Sequence, residues 1–85
     1  MKISNIKINK IVPSKGLVGF VSFLIENEFF VGNIAIFQRL HKEGCRLVFP
    51  EKKVNDKKIP ICYPINKETY FEIEKIINEE FNKWN

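Results

Sequence analysis

The chain has 85 residues, of which 45% are hydrophobic, and a formal net charge of +4. A chain of this length forms one small domain that buries about 60 to 65% of its unfolded surface, and its apolar content excludes an intrinsically disordered protein. No apolar run approaches the ~20 residues that span a bilayer, and the first residues do not resemble a signal peptide. We therefore expect a cytoplasmic protein with no membrane partner.

The positive charge is unevenly distributed along the chain. Residues 1–65 contain eleven Lys and Arg against five Asp and Glu, a net charge of +6, whereas residues 66–85 contain three against five, a net charge of −2. A basic body of this kind is a hint of a polyanion partner. The alternative is an AT-rich genome, whose codons favour Lys, Asn, Ile and Phe throughout.

The first half of the chain reads as three β-strands. Ile6 and Ile8 alternate with polar residues, which is typical of a half-buried strand. Residues 17–25 are apolar on both faces and predict a central strand, and residues 29–37 predict a third. Asn27, between these two strands, tolerates the positive φ of a turn.

Two glycines inside these strands, Gly19 and Gly32, indicate a bulge or a close approach of another backbone. A fourth strand is predicted at residues 46–49. A fifth follows at residues 59–63, and Pro60 confines it to an edge of the sheet.

The hydrophobic period changes near the end of the chain. Apolar side chains recur there at intervals of three and four residues, which predicts one amphipathic helix over residues 66–84 with Asn66 as its N-cap. The stripe consists of Tyr70, Ile73, Ile76, Ile77, Phe81 and Trp84. The predicted fold class is α+β, an antiparallel β-sheet of four to five strands over residues 1–63 followed by the helix, in a single domain over residues 1–85.

One helix covers only one face of such a sheet. Because residues 17–25 are apolar on both faces, the second face also needs a cover. A homodimer would supply it and would hide exposed strand edges. We therefore expect the protein to be a homodimer.

The residues that enzymes need are scarce. The chain has one histidine, His41, and one aspartate, Asp56, too few for a Ser–His–Asp triad or a zinc-dependent hydrolase. His41, Cys45 and Cys62 make at most a partial metal site without a fourth ligand. The two cysteines are most simply small core residues, and a disulfide between them is conceivable but not expected. We expect no enzymatic activity, metal, cofactor or small-molecule substrate.

Four lysines are concentrated between two apolar runs, at Lys52, Lys53, Lys57 and Lys58. They repel one another, so they indicate either a polyanion partner or an indifferent loop in a lysine-rich chain. Arg46 is a candidate for a base contact, because a guanidinium matches guanine bidentately. Its alternative is a solvated strand residue.

Four phenylalanines have two interpretations. Phe29, Phe30, Phe37 and Phe49 could stack on bases, as aromatic side chains do on single-strand platforms. Core packing is the favoured interpretation for all four.

Four motifs occur in an order that resembles the SpoVG family (stage V sporulation protein G, the septation regulator). They are ISNIKINKI, EFFVGNIAI, RLVFPEKK and YPINKET before a terminal helix. The family's pattern at these places is V-T-D-V-R-L-R-R, E-F-V-V-H-D-I-R-V-I, F-V-A-M-P-S-K-R and H-P-I-N. The resemblance covers essentially the whole chain.

The resemblance implies a small bacterial regulator of septation, sporulation or gene expression that binds DNA, and in some members RNA, as a dimer. The basic pair of the family's P-S-K-R falls on Lys52 and Lys53. The basic positions of its first strand fall on Lys7 and Lys10. The family's H-D-I-R falls on residues 32–35, so this chain lacks that His, Asp and Arg.

Two functions follow from these observations. The first is a homodimeric regulator that binds DNA or RNA. Its candidate contacts are Lys52, Lys53, Lys57, Lys58, Arg46, Lys7 and Lys10. The alternative is a protein-interaction module, in which the amphipathic helix or a sheet edge docks another regulator and the lysines are incidental.

Overall fold

The computed structural model describes residues 1–40 and 43–83 of the chain. Within them, strands β1 to β6 precede helix α1. Their bounds are β1 Ile3–Ser14, β2 Leu17–Ile25, β3 Phe29–Gln38, β4 Cys45–Val48, β5 Glu51–Val54, β6 Lys57–Pro60 and α1 Lys67–Lys83. Strands β1 to β4 form an antiparallel sheet in chain order, and β5 pairs with β6 in a separate two-stranded sheet. The predicted α+β class is confirmed.

The lysine-rich segment differs from the prediction. The lysines were predicted to lie between the fourth and fifth strands of one sheet, but they lie on β5 and β6 themselves. The turn consists only of Asn55 and Asp56, both with positive φ (50° and 65°), as a two-residue hairpin turn requires. The fifth strand predicted at residues 59–63 therefore begins earlier and ends at Pro60.

The two glycines occupy the kinds of position that the sequence indicated. Gly19 lies at a register irregularity between β2 and β3, and a methyl group there would come 2.7 Å from the backbone oxygen of Asn9. Gly32 lies beneath the ring of Phe30, whose Cε2 would be 2.7 Å from such a methyl group. Close backbone approach explains the first glycine and an overlying aromatic ring the second.

Helix α1 packs on one face of the four-stranded sheet. The buried cluster between them consists of Val18, Val21, Phe23, Ile34, Ile36, Cys45, Leu47, Ile73 and Ile77. Tyr70 and Phe81 pack at its margin, so the predicted helical stripe is confirmed for these positions, while Trp84 lies outside the described residues. The N-cap is confirmed as well, because the Asn66 Oδ1 accepts a hydrogen bond from the Thr69 N–H at 2.8 Å.

The expectation that all four phenylalanines pack in the core is wrong for two of them. Phe29 and Phe30 start β3 and are 70% and 69% exposed. The register places Phe30 on the face opposite the helix. Phe37 and Phe49 are half-buried. On the face opposite the helix, the β2 residue Phe20 remains 36% exposed, so no second cover comes from the described part of the chain.

Candidate nucleic-acid interface

Strands β5 and β6 form a basic hairpin, which we call the ribbon and define as residues 51–60. All ten of its residues are exposed. Its two strands pair with each other, and the Ile61 N–H extends the ladder by bonding to the Pro50 oxygen at 2.9 Å. The ribbon is therefore a projection from the body of the protein.

The lysines of the ribbon alternate between its two faces. Lys53 lies directly opposite Lys58 on one face, since cross-strand partners share a face. Lys52 and Lys57 lie on the other face. None of the four forms an ion pair with the described residues. Like charges placed directly opposite each other destabilise a hairpin. Lys53 and Lys58 therefore repel each other and concentrate positive potential on one face of the ribbon.

The three other candidate residues lie elsewhere. Lys7 and Arg46 belong to the face of the sheet opposite the helix, and the Arg46 guanidinium lies 4.8 Å from the centroid of the Phe37 ring. Lys10 points to the helix side, where its Nζ lies 4.5 Å from the centroid of the Phe81 ring. The seven candidates therefore do not form one site. Four lie on the ribbon, Lys7 and Arg46 lie on the face of the sheet opposite the helix, and Lys10 lies on the helix side.

A polar cluster beneath the helix was missed by the sequence interpretation. The Arg39 guanidinium forms an ion pair with the Glu74 carboxylate. Glu74 is one of the buried residues of the helix. The Glu74 Oε2 is buried and has no hydrogen-bond partner among the described residues. The burial of Glu74 could have been predicted from the sequence, because this residue lies four positions after Tyr70 and three before Ile77, on the apolar stripe of the helix.

Burial changes the acidity of two groups in this region. It raises the pKa of the Cys45 thiol above its ordinary value of 9.0 and the pKa of the Tyr70 hydroxyl above 10.0. A buried thiol with a raised pKa carries little thiolate at neutral pH and is a poor nucleophile. Cys45 and Cys62 are both free.

An apolar groove lies between the base of the ribbon and the start of the helix. It encloses about 550 Å³ and is lined mainly by Phe49, Pro50, Tyr63, Pro64 and Tyr70. In the described residues there is no group of three metal-ligating side chains, and His41, part of the metal site considered above, lies outside them. The described helix also lacks the length and apolar character of a membrane span.

The protein is a small α+β protein, in which a meander sheet carries one C-terminal helix on one face and a basic ribbon projects from the body. A family model for SpoVG matches residues 1–83, and the chain belongs to the SpoVG family. A Clostridium perfringens protein named "Putative septation protein SpoVG" is 32% identical over 98% of this chain and 91% of its own length. Proteins of the same name from Lachnospira eligens and Caldanaerobacter subterraneus are each 29% identical over 98% of this chain and 93% and 90% of theirs.

Proposed function

We propose that the protein is a septation regulator that binds nucleic acid through the ribbon. The observation that carries this proposal is the set of four exposed lysines without ion pairs, including the opposed pair Lys53 and Lys58. A bound phosphate chain relieves their repulsion and releases its own counterions, so binding should be strongly salt-dependent. The role in septation rests on the names of the relatives.

The shape of the ribbon supports the same proposal. The major groove of B-DNA admits a two-stranded β-ribbon. The long side chains of lysines on a ribbon in the groove lie within reach of the phosphates that flank it. Such contacts set position and affinity and carry no sequence information, so base discrimination requires other residues.

Replacing Lys52 and Lys53 by Glu tests the ribbon. Titrations with labelled DNA and RNA at two salt concentrations should show a loss of more than tenfold in affinity and a shallower salt dependence. The matched control replaces the exposed helix residues Lys67 and Lys75 by Glu, which changes the net charge equally. Equal affinity in both double variants would reject the ribbon as the site.

The apolar groove favours a second candidate function, that of an interaction module whose first partner is another copy of the chain. Tyr63 and Ile65, which line the groove, and Ile61 next to it in the chain are large, apolar and mostly exposed, with Ile65 at 90%. Clustered apolar exposure of this kind marks an interface, and a two-fold arrangement lets each copy offer both a groove and side chains that fill the other's.

Sedimentation equilibrium tests the homodimer. The wild type should have twice the chain mass of 10.0 kDa, and Tyr63→Ser with Ile65→Ser should have the mass of one chain, because these substitutions remove the apolar contacts. Exposed positions such as these tolerate the change without unfolding. A wild type that remains monomeric at high concentration would contradict the proposal.

A further inference from the structure

The face of the four-stranded sheet that lies opposite the helix, here called the open face, is basic and partly aromatic. Strand register places Lys7, Phe20, Phe30, Phe37 and Arg46 on it. Strands β1 to β4 contain no Asp or Glu at all. The open face therefore combines planar rings with positive charge that no carboxylate of the sheet neutralises.

Phe30 is held in a position suited to stacking. Its ring lies over the backbone at Gly32, where any larger residue would collide with it, yet 69% of the residue is exposed. One side of the ring is thus supported while the rest of it faces solvent. A shallow cavity of about 170 Å³ adjoins the ring and is lined also by Phe20, Lys7 and Asn9. Aromatic, amide and ammonium groups meet there at one spot.

The opposite end of β3 carries a second planar surface. Phe37 follows Phe30 by seven positions, or roughly 20 Å along a strand at about 3.3 Å per residue. The Arg46 guanidinium covers the Phe37 ring at 4.8 Å, so its charge is fixed in place by a cation–π contact. Rings and cations therefore occur at both ends of the open face.

We infer that the open face binds single-stranded nucleic acid, with bases stacked on Phe30 and Phe20 and phosphates at Lys7 and Arg46. This inference rests on the proposed nucleic-acid binding but assigns it a second surface, distinct from the ribbon. A single strand is the fitting ligand because its bases expose their faces, whereas a duplex covers each base with its neighbours. Stacking of this kind tolerates any base.

A second copy of the chain fits the open face poorly. In a two-fold contact through this face, the same patch meets itself, so the positive charges of Lys7 and Arg46 in one copy meet a patch of the same sign in the other. The sheet offers no carboxylate to compensate them, and lysine is depleted from protein interfaces. A polyanion with planar groups can both stack on the aromatic rings and pair with the positive charges.

Phe30→Ala tests the inference, and Phe29→Ala is its matched control. The two residues are adjacent and equally exposed, but register places Phe29 on the opposite face of the sheet. Affinity for labelled oligouridine and oligothymidine single strands should fall about tenfold in Phe30→Ala, the size expected for one lost base–aromatic stack. Phe29→Ala should bind as the wild type does, and neither variant should change its affinity for a DNA duplex.

Two further variants separate stacking from simple apolar contact. Phe30→Trp should retain the single-strand affinity, because indole offers a larger stacking face, and Phe30→Leu should not restore it. Gly32→Ala keeps Phe30 but displaces its ring, and it should weaken single-strand binding as well. Full single-strand affinity in Phe30→Ala, or an equal loss in Phe29→Ala, would overturn the inference.

The remaining outcomes distinguish this inference from the ribbon. If the Lys52→Glu, Lys53→Glu variant loses duplex binding while Phe30→Ala keeps its single-strand affinity, the ribbon stands and the open face fails. If the wild type binds neither single strands nor duplex, both proposals fail. A change of molecular mass in Phe30→Ala would make the open face a contact between copies and would also overturn the inference.

Discussion

Two helix side chains act as hydrogen-bonding partners for the outermost strand of the sheet. The Asn78 Oδ1 accepts from the Cys45 N–H at 2.7 Å, and its Nδ2 donates to the Cys45 oxygen at 3.0 Å. The Tyr70 hydroxyl accepts from the Leu47 N–H and donates to the Leu47 oxygen, both at 3.1 Å. The amide and the phenol thus imitate the ladder of a further strand and hold the helix in register with β4.

Asn78→Ala should lower the free energy of unfolding by about 2 kcal/mol, because it leaves a partly buried N–H and C=O without partners. Urea denaturation followed by circular dichroism measures the change. Asn82→Ala is the control, since Asn82 is exposed in the last turn of the same helix and its replacement should shift stability by less than about 0.5 kcal/mol. Equal effects of the two substitutions would show that the Asn78 bonds contribute nothing.

At the scale of elements, the helix was predictable within a residue or two, whereas the ribbon was predictable only as a lysine-rich tip between two strands and not as a separate two-stranded sheet. Apolar spacing and a capping Asn66 set the helix, and the structure places it at Lys67–Lys83 against the predicted 66–84. Half of the residues in strands β5 and β6 are lysine, which has low strand propensity and gives no apolar alternation. Their pairing depends instead on two consecutive residues of positive φ, Asn55 and Asp56, a conformation that composition alone does not reveal.

The candidate sites were also predictable only in part. The four ribbon lysines could be grouped from sequence because they are close in the chain. Lys7 and Lys10 could also have been separated, because they are three positions apart in a part of β1 without a register shift, and strand alternation puts such residues on opposite faces. The exposure of Phe30, by contrast, could not be predicted. An apolar strand suggests a buried residue at each position, and the sequence does not show which face of the strand is covered by another element.

For the molecule as a whole, the raised pKa values predict a loss of stability at alkaline pH. In the folded state Cys45 and Tyr70 keep their protons to higher pH than in the unfolded chain. For each group, at a pH between its pKa in the unfolded chain and its higher pKa in the folded protein, the unfolded state binds fewer protons. The free energy of unfolding therefore falls as the pH rises through that range. This contribution is fully present below about pH 9, and it declines first through the thiol and then, above pH 10, through the phenol.

Urea titrations from pH 7 to 11 measure this decline. Cys45→Ala lacks the thiol and should show a smaller loss between pH 9 and 10 than the wild type does, even though its overall stability is lower. Asn82→Ala is the control, because it changes an exposed residue without removing an ionisable group and should leave the pH profile unchanged. Identical profiles for the wild type and Cys45→Ala would contradict the assignment.

The pairing of helix side chains with β4 also bears on aggregation. An outermost strand normally offers a free row of backbone groups that can template the addition of strands from other molecules. Here the groups of Cys45 and Leu47 are already occupied by Asn78 and Tyr70. Fibre growth from this side of the sheet would first require the helix to lift away, so the same contacts that dock the helix also protect the protein from polymerising along β4.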